Sequence, residues 1–462
     1  MVNLVVSFMK TNLLSYIKKH VIKLEGNALV CVAFHPLWGI PYSFYFFYLS
    51  LYMKEHGVTD SQLGFLTLAG LIASIVFSII AAPIVDGLGR KKATFIFDLI
   101  SSALPPLIYA VSGNFWFSLA ATILNNTNKI MSVAYYLVMI EDADDEQRIT
   151  AFNMFNLITI AAGTLIPFAG FFVGKFGLVQ AERFFLIFSF ISMTSLIIAR
   201  NHFLKETRTG EIILEEKRRK NQKGKKGNRQ KAYDLLQTYD SSIKYLKGNP
   251  SALIIVFVNI IFYIYYYIGT NNSLYFSPYL TDALGLSSLD ASLVGSAYAG
   301  SMLFAMLIIN PLLKKVNIYK SLIMGGCINT AGLILLVSIP AGNLPYAMVS
   351  IVTTAVGFGI FKSFIDAALA IVSGGESSAG IYSIVNLLSA LLGSGAAALA
   401  SVFYPLNPRF IYIMSIILLV LSITAVSGIF ALSRKGKPEK ADGKWVEDDL
   451  ETVGNEQGET YA

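Results

Sequence analysis

Long apolar blocks separated by short polar stretches run through the whole chain. A helix that crosses a bilayer needs about 20 mostly apolar residues, whereas a half-buried strand alternates apolar and polar residues. We therefore predict a chain of membrane-spanning helices. The twelve blocks lie at roughly residues 28–52, 61–84, 93–112, 114–140, 150–174, 182–200, 251–276, 287–313, 319–339, 344–372, 378–404 and 409–433.

Composition agrees with that pattern. Of 462 residues, 55% are hydrophobic and 14% are charged, whereas soluble domains carry about 25% charged residues. A membrane β-barrel would show segments of about ten alternating residues. The sequence thus predicts an all-α integral membrane protein.

The basic residues predict an orientation. With the N-terminus in the cytoplasm, 30 of the 36 Lys and Arg lie on the cytoplasmic side, four lie outside and two lie within spans. This asymmetry satisfies the positive-inside rule and predicts that both termini lie in the cytoplasm. We expect the protein to reside in the plasma membrane. Residues 217–231 carry nine basic residues and no acidic one. We expect them to lie near anionic lipid headgroups, and we expect no nucleic acid partner.

The sequence can be divided into two similar halves. A basic lead-in (1–27) precedes six spans (28–200), a cytoplasmic basic loop (201–250) follows, and six more spans (251–433) lead to an acidic tail (434–462). An offset of about 230 residues aligns the halves in parallel, as in some transporters built from repeats. The matching positions are Tyr45 with Tyr275, Pro83 with Pro311, Lys129 with Lys362, Asn156 with Asn386, and Gly163 with Gly393.

A short polar motif separates the second and third spans. It reads Asp86-Gly87-Leu88-Gly89-Arg90-Lys91-Lys92. Gly87 and Gly89 permit a tight turn between two packed helices, and Asp86 can accept hydrogen bonds from Arg90. Glu141 and Asp142 end the fourth span and are further candidate partners of Arg90.

This motif resembles the Asp-x-x-Gly-Arg-Lys signature loop of the major facilitator superfamily. The twelve spans, the long central loop and the repeat extend the resemblance over nearly the whole chain. Two positions depart from the family pattern, Ala82 before the signature loop and Ile166 in the fifth span. The resemblance implies two parallel six-helix bundles, transport by alternating access, and a latch formed by the signature loop.

Two lysines lie near the middle of predicted spans. Lys129 and Lys362 occupy matching places in the halves. An ammonium at the bilayer centre costs about 3 kcal/mol or more, so we expect both to face an aqueous cavity and to attract an anionic group. Alternatively each is neutralised structurally, Lys362 by Asp366 four residues on and Lys129 by amides such as Asn125.

Further polar residues are candidates for the cavity. Asp366 is a candidate proton carrier, and so is His35. For His35, which precedes Pro36 in an irregular first span, the preferred interpretation is a hydrogen-bonded packing residue. Tyr45 and Tyr275 are candidates to line the cavity or to pack. The matched amides Asn156 and Asn386 are candidates for solute contact or for helix packing.

The sequence favours a transporter over an enzyme. It contains no phosphate-binding loop, no metal-ligand spacing and no identifiable catalytic triad, so we expect no cofactor and no metal. We predict a monomeric secondary transporter of a small polar or anionic solute, with a proton gradient as the preferred energy source. The alternatives are a proton-coupled exporter of amphiphilic drugs and a transporter-like membrane sensor or scaffold.

Overall fold

The protein is described here by a computed structural model. It covers residues 24–143, 145–222, 243–313, 316–372 and 378–435. Most of the predicted lead-in, part of the central basic loop and nearly all of the acidic tail lie outside the described residues. Within the described part, the protein is built from helices and connecting turns, without strands.

Nineteen described helices follow one another. They are α1 Gly26–Phe34, α2 Pro36–Glu55, α3 Asp60–Leu88, α4 Arg90–Asp98, α5 Leu104–Val111, α6 Phe115–Asn126, α7 Asn128–Ile140, α8 Asp145–Gly163, α9 Ile166–Phe176, α10 Leu178–Phe203, α11 Arg208–Gln222, α12 Pro250–Gly269, α13 Phe276–Pro278, α14 Ser288–Phe304, α15 Asn310–Leu313, α16 Ile318–Val337, α17 Leu344–Val372, α18 Ser378–Phe403 and α19 Arg409–Lys435. Single π-helical turns occupy Leu99–Ala103, Tyr279–Ala283 and Ala305–Ile309.

Ten helical segments of the described residues are long and apolar enough to cross a membrane. Two of the twelve predicted spans, the fourth and the eleventh, are not among these ten. The fourth is divided at Thr127 into α6 and α7, and the eleventh is α18, which contains the shorter apolar segment Leu387–Phe403. The structure is therefore consistent with twelve spans and confirms an all-helical membrane protein.

The first span is irregular, as its prolines predict. The α1 helix ends at Phe34, and α2 begins at Pro36 after the buried His35. Because proline lacks a backbone N–H, Pro36 cannot make the helical hydrogen bond to the Val32 carbonyl, which accounts for the interruption. His35 itself keeps helical geometry, with φ of −60° and ψ of −34°, so the chain continues in the same span.

The two halves meet along several helix pairs. The α3 helix packs on α18, α14 packs on both α8 and α9, and the short α13 packs on α2. Within the halves, α10 packs on α2 and α16 packs on α17. Because α3 runs from Asp60 to Leu88, the two sides of the molecule lie about 42 Å apart along this helix. We call them the Lys54 face, with Lys54, Asp60 and Asp282, and the Arg90 face, with Asp86, Arg90 and Glu141.

Candidate functional site

An ion pair lies deep in the second half. Lys362 Nζ is 2.6 Å from Asp366 Oδ2, and the two side chains are 30% and 41% exposed. Lys362 is about 27 Å from the start of α17 at Leu344 and about 15 Å from its end at Val372. The pair is therefore a partly accessible charged site inside a membrane-spanning helix.

Aromatic side chains of the seventh span face this pair. Lys362 Nζ lies 5.8 Å from the ring centroid of Tyr263, a distance that permits a cation–π interaction. Tyr266 is within electrostatic reach of Lys362 and Asp366, and Tyr42 of the first half is within reach of Tyr266. The ion pair thus lies beside α12, on which Tyr266 is close to Tyr42 of the first half.

A row of aromatic rings continues along the first span. Trp38 stacks on Tyr42 at 4.7 Å, and Tyr42 stacks on Phe46 at 4.9 Å between ring centroids. These residues are spaced four apart and are half-buried, so they share one face of α2. The first span consequently carries a stripe of aromatic faces, and its middle member, Tyr42, lies near Tyr266 of α12.

His35 begins this row but is enclosed by packing. Its ring stacks on Phe155 at 3.7 Å, and its Nε2 lies 2.8 Å from the Thr159 hydroxyl. The side chain is buried and has no described contact with Lys362 or Asp366. This placement favours the packing interpretation of His35.

Lys129 has a different setting from Lys362. It is half-buried in α7 and makes no hydrogen bond or ion pair with any described residue. The neighbouring amides are occupied, since Asn125 donates to the Ser101 carbonyl at 3.0 Å and Asn126 to the Thr122 carbonyl at 2.8 Å. The structure therefore does not neutralise Lys129 by these amides, and it shows no contact between the two lysines.

The two matched tyrosines lie apart from the ion pair. Tyr45 is buried and meets the Tyr42 ring edge-on at 5.5 Å. Tyr275 is buried near the Lys54 face, where its hydroxyl donates to the Asp60 carbonyl at 2.9 Å. Tyr275 thus joins the two halves in this arrangement instead of lining the space beside Lys362.

The matched asparagines give less information. Asn156 is exposed on α8, with no described hydrogen bond. The side chain of Asn386 lies outside the described residues, although its backbone is part of α18.

The signature loop forms a compact polar cluster on the Arg90 face. The Arg90 side chain, 4% exposed, lies 3.1 Å from Asp86 and 3.2 Å from Glu141. Gly89 has φ of 86°, a conformation that favours glycine. Because Asp86, Arg90 and Glu141 all belong to the first half, their contacts fasten α3, α4 and α7 to one another.

The residues after the sixth span complete this cluster. The Glu206 carboxylate accepts hydrogen bonds from the backbone N–H of Arg90 at 2.9 Å and of Lys91 at 3.1 Å. It thereby caps the start of α4, where negative charge is favoured. Thr207 donates to Glu141, and Asp142 accepts from the Arg208 N–H at 3.3 Å. Sequence reasoning missed Glu206, because its partners are 115 and 116 residues away.

The Lys54 face is closed by contacts between the halves. Lys54 Nζ bridges Asp60 at 2.7 Å and Asp282 at 2.6 Å. The Tyr48 hydroxyl donates to the Ser288 carbonyl at 2.7 Å. Deeper along the same interface, Ser296 donates to the Thr164 carbonyl at 2.9 Å.

Two buried acids lie apart from these clusters. Asp98, which the sequence places within the third span, pairs with Arg200 at 2.5 Å. Glu182 is completely buried in α10, and sequence reasoning did not single it out. The helix begins at Leu178 after Gly177, whose φ is 81°, so it includes one more turn than predicted. The glycine five residues before Glu182 is the signal that could have located this acid inside the helix.

Comparison with known proteins addresses the fold. The chain resembles the structure of a D-xylose–proton symporter, with a TM-score of 0.64, 15% identity, and coverage of 86% of this chain and 96% of that one. It also resembles a bacterial homolog of the human lysosomal transporter Spinster, with a TM-score of 0.63, 14% identity, and coverage of 90% and 98%. The structure of a POT family transporter in complex with 5-aminolevulinic acid is similar as well. The TM-score is 0.62 and the identity 13%, and the match covers 88% of this chain and 96% of that one.

These similarities concern the fold, since the identities are low. No match was found among curated proteins. The Major Facilitator Superfamily profile matches residues 37–398, which include most of both halves and the signature loop. This protein therefore belongs to the major facilitator superfamily.

Proposed function

We propose that this protein is a secondary active transporter that moves a small polar or anionic solute by alternating access, coupled to protons. The Lys362–Asp366 pair carries the proposal, because it is a partly exposed ion pair, with 2.6 Å between its charged atoms, inside a spanning helix. Ionisable groups within spans normally mark substrate or ion pathways. A proton symporter among the proteins of similar fold supports the choice of coupling ion.

The pair also offers a way to link proton and solute. When Asp366 is ionised, it holds Lys362 in an ion pair. Protonation of Asp366 removes that charge and frees the Lys362 ammonium for an anionic group of the solute. Lys129, which has no described partner, adds a second positive charge from the first half. Loss of the proton re-forms the pair and displaces the solute.

Alternating access needs an interface that opens and a half that stays rigid. The Lys54–Asp282, Tyr48–Ser288 and Tyr275–Asp60 contacts join the halves and must break for the Lys54 face to open. The Arg90 cluster lies within the first half and supports its movement as one body. From the distribution of basic residues, we propose that the Arg90 face is cytoplasmic and that the protein acts in the plasma membrane.

A thermal-shift screen of the purified protein tests the solute class. The screen uses a library of small anions, neutral polar solutes and amphiphiles with wild type, Lys129→Ala and Lys362→Ala. A ligand at 100 times its Kd adds about 2.7 kcal/mol to the stability of the state that binds it. We expect anions to stabilise wild type and neither variant. Equal stabilisation of all three proteins would contradict a cationic site.

Export of amphiphilic drugs is the second candidate function. The stacked row of Trp38, Tyr42 and Phe46 favours it, because aromatic faces suit large apolar solutes. Stabilisation by amphiphiles that persists in both lysine variants would favour this function over transport of an anion.

A further inference from the structure

A buried carboxyl group in the first half has no described partner. Glu182 lies in α10, one turn after its start at Leu178, and is 0% exposed. Neither carboxyl oxygen has a hydrogen-bond partner among the described residues. An ionised carboxylate here would lose its hydration without replacement, so this environment favours the neutral acid.

The groups that face Glu182 do not supply a compensating charge by direct contact. Tyr45, Tyr48 and Tyr52 of α2 lie within its electrostatic reach. Tyr109 of α5 is close to the same phenols, because its carbonyl accepts a hydrogen bond from Tyr52 at 3.0 Å. On α10 itself, Arg183 is directed toward Tyr52. From α9, the ammonium of the exposed Lys175 lies 5.3 Å from the Phe176 ring centroid.

The phenols that cover Glu182 also close the Lys54 face. The Tyr48 hydroxyl, which lies near Glu182, donates to the Ser288 carbonyl of the second half. The buried Ser292 lies in the same contact, close to Gly170. In the closed face the Tyr48 hydroxyl is engaged by Ser288 and makes no hydrogen bond to Glu182. Separation of α2 from α14 would break the Tyr48–Ser288 bond and leave this hydroxyl free to donate to the carboxylate. Closure of the face therefore withholds from Glu182 a donor that would stabilise its ionised form.

We propose that Glu182 is a proton-binding site of the transport cycle, protonated while the Lys54 face is closed and ionised when that face opens. The proposal rests on the proposed function, because it supplies the coupled proton with a second site distinct from Asp366. Closing the face on an ionised Glu182 would bury an unpaired charge, so a proton must bind first.

Glu182 exchanges its proton with the water that enters the opened Lys54 face. Asp366 remains a separate proton site near the centre of the protein.

The test measures opening of the Lys54 face against pH. Ser292→Cys is introduced after Cys31 and Cys327 are replaced by Ser, and its labelling by a membrane-impermeant maleimide is followed in proteoliposomes. We expect labelling of this protein to increase several-fold from mildly acidic to mildly alkaline pH. Addition of Glu182→Gln should keep labelling low at every pH. Addition of Glu55→Gln, an exposed carboxyl near the same face, should leave the increase intact. A pH-dependent increase that survives Glu182→Gln would overturn the proposal.

Infrared spectroscopy provides a readout that requires neither labelling nor flux. The C=O stretch of a buried protonated carboxyl should be present in the purified wild type, absent in Glu182→Gln and present in Glu55→Gln. A spectrum unchanged by Glu182→Gln would also overturn the proposal. If both signals depend on Glu182 but no solute is moved, the proposed transport function fails while the proton site stands. If solute is moved and neither signal depends on Glu182, the present proposal alone fails.

Discussion

At the scale of single residues, variants of the Lys362–Asp366 pair can distinguish a role in transport from a purely structural role. The pair is half-exposed, so its contribution to stability is below about 1 kcal/mol. We expect Asp366→Asn to change the melting temperature little and to reduce proton-driven uptake by at least about tenfold, equivalent to about 1.4 kcal/mol.

The reversed pair, Lys362→Asp with Asp366→Lys, is the matched control. It keeps both charges and their spacing, so it should be as stable as wild type. Uptake should stay low, because the ammonium and carboxyl have exchanged places. Full uptake by the reversed pair would show that the ion pair only holds the helix together.

Replacement of Lys129 should change stability and solute binding in opposite directions. Because its ammonium has no described partner, its charged form is costly within the membrane. We expect Lys129→Met to raise the melting temperature of the purified protein and to lower its affinity for an anionic solute by about tenfold or more. A lower melting temperature together with unchanged affinity would mean that Lys129 is a structural residue.

At the scale of elements, the junction between α3 and α4 depends on Gly89. Its φ of 86° is unfavourable for other residues, and an added Cβ would lie 2.7 Å from the Glu206 carboxylate and 2.9 Å from Leu214. Gly89→Ala should cost about 1–2 kcal/mol from the backbone alone. It should therefore lower the melting temperature and weaken the Glu206 cap.

Gly174→Ala is the matched control for that prediction. Gly174 lies within α9, and no described atom lies within 4 Å of the position that an added Cβ would occupy. Alanine is the better helix former by about 1 kcal/mol, so this variant should be at least as stable as wild type. A Gly89→Ala protein that melts no earlier than Gly174→Ala would contradict the account of this junction.

The sequence predicts the elements better than it predicts their interruptions. Predicted and observed span ends agree within five residues, except that the seventh span ends at Gly269 instead of at residue 276. The agreement follows because an apolar run of about 20 residues in lipid must satisfy its backbone hydrogen bonds internally, which a helix does. The break at Thr127 was not predicted. There the Thr127 hydroxyl donates to the Leu124 carbonyl at 2.7 Å, a local bond that competes with helical pairing.

At the scale of the whole molecule, the Lys54 bridge holds the halves together on one face. Lys54 contacts Asp60 in its own half and Asp282 in the other. We expect Asp282→Asn to remove the cross-half attraction and to shift the population toward a protein open at this face, with a change in overall stability below about 1 kcal/mol.

Electron–electron distance measurements can detect that shift. Spin labels at Glu55→Cys on α2 and Asp290→Cys on α14, in a protein with Cys31 and Cys327 replaced by Ser, report the separation of the halves. Asp282→Asn should add a population at longer distances, whereas Asp60→Asn, which leaves the Lys54–Asp282 contact intact, should add less. Identical distance distributions in all three proteins would contradict a gating role for this bridge.

The arrangement of the site could be anticipated only in part. Lys362 with Asp366 was predictable, because four residues along a helix bring two side chains together. The signature loop was predictable from its motif. The Glu206 cap, the Tyr275–Asp60 contact and the burial of Glu182 were not, because each depends on how distant helices pack and local sequence does not encode that.

Solute flux into proteoliposomes under an imposed pH gradient tests the central claim most directly. Wild-type and Asp366→Asn proteins are reconstituted, incubated with a mixed library of small polar and anionic solutes, and the contents are analysed by mass spectrometry. Our account predicts that at least one solute accumulates with wild type, only while the gradient is present, and not with Asp366→Asn. Contents that match those of protein-free vesicles would contradict transport and favour a sensor or scaffold.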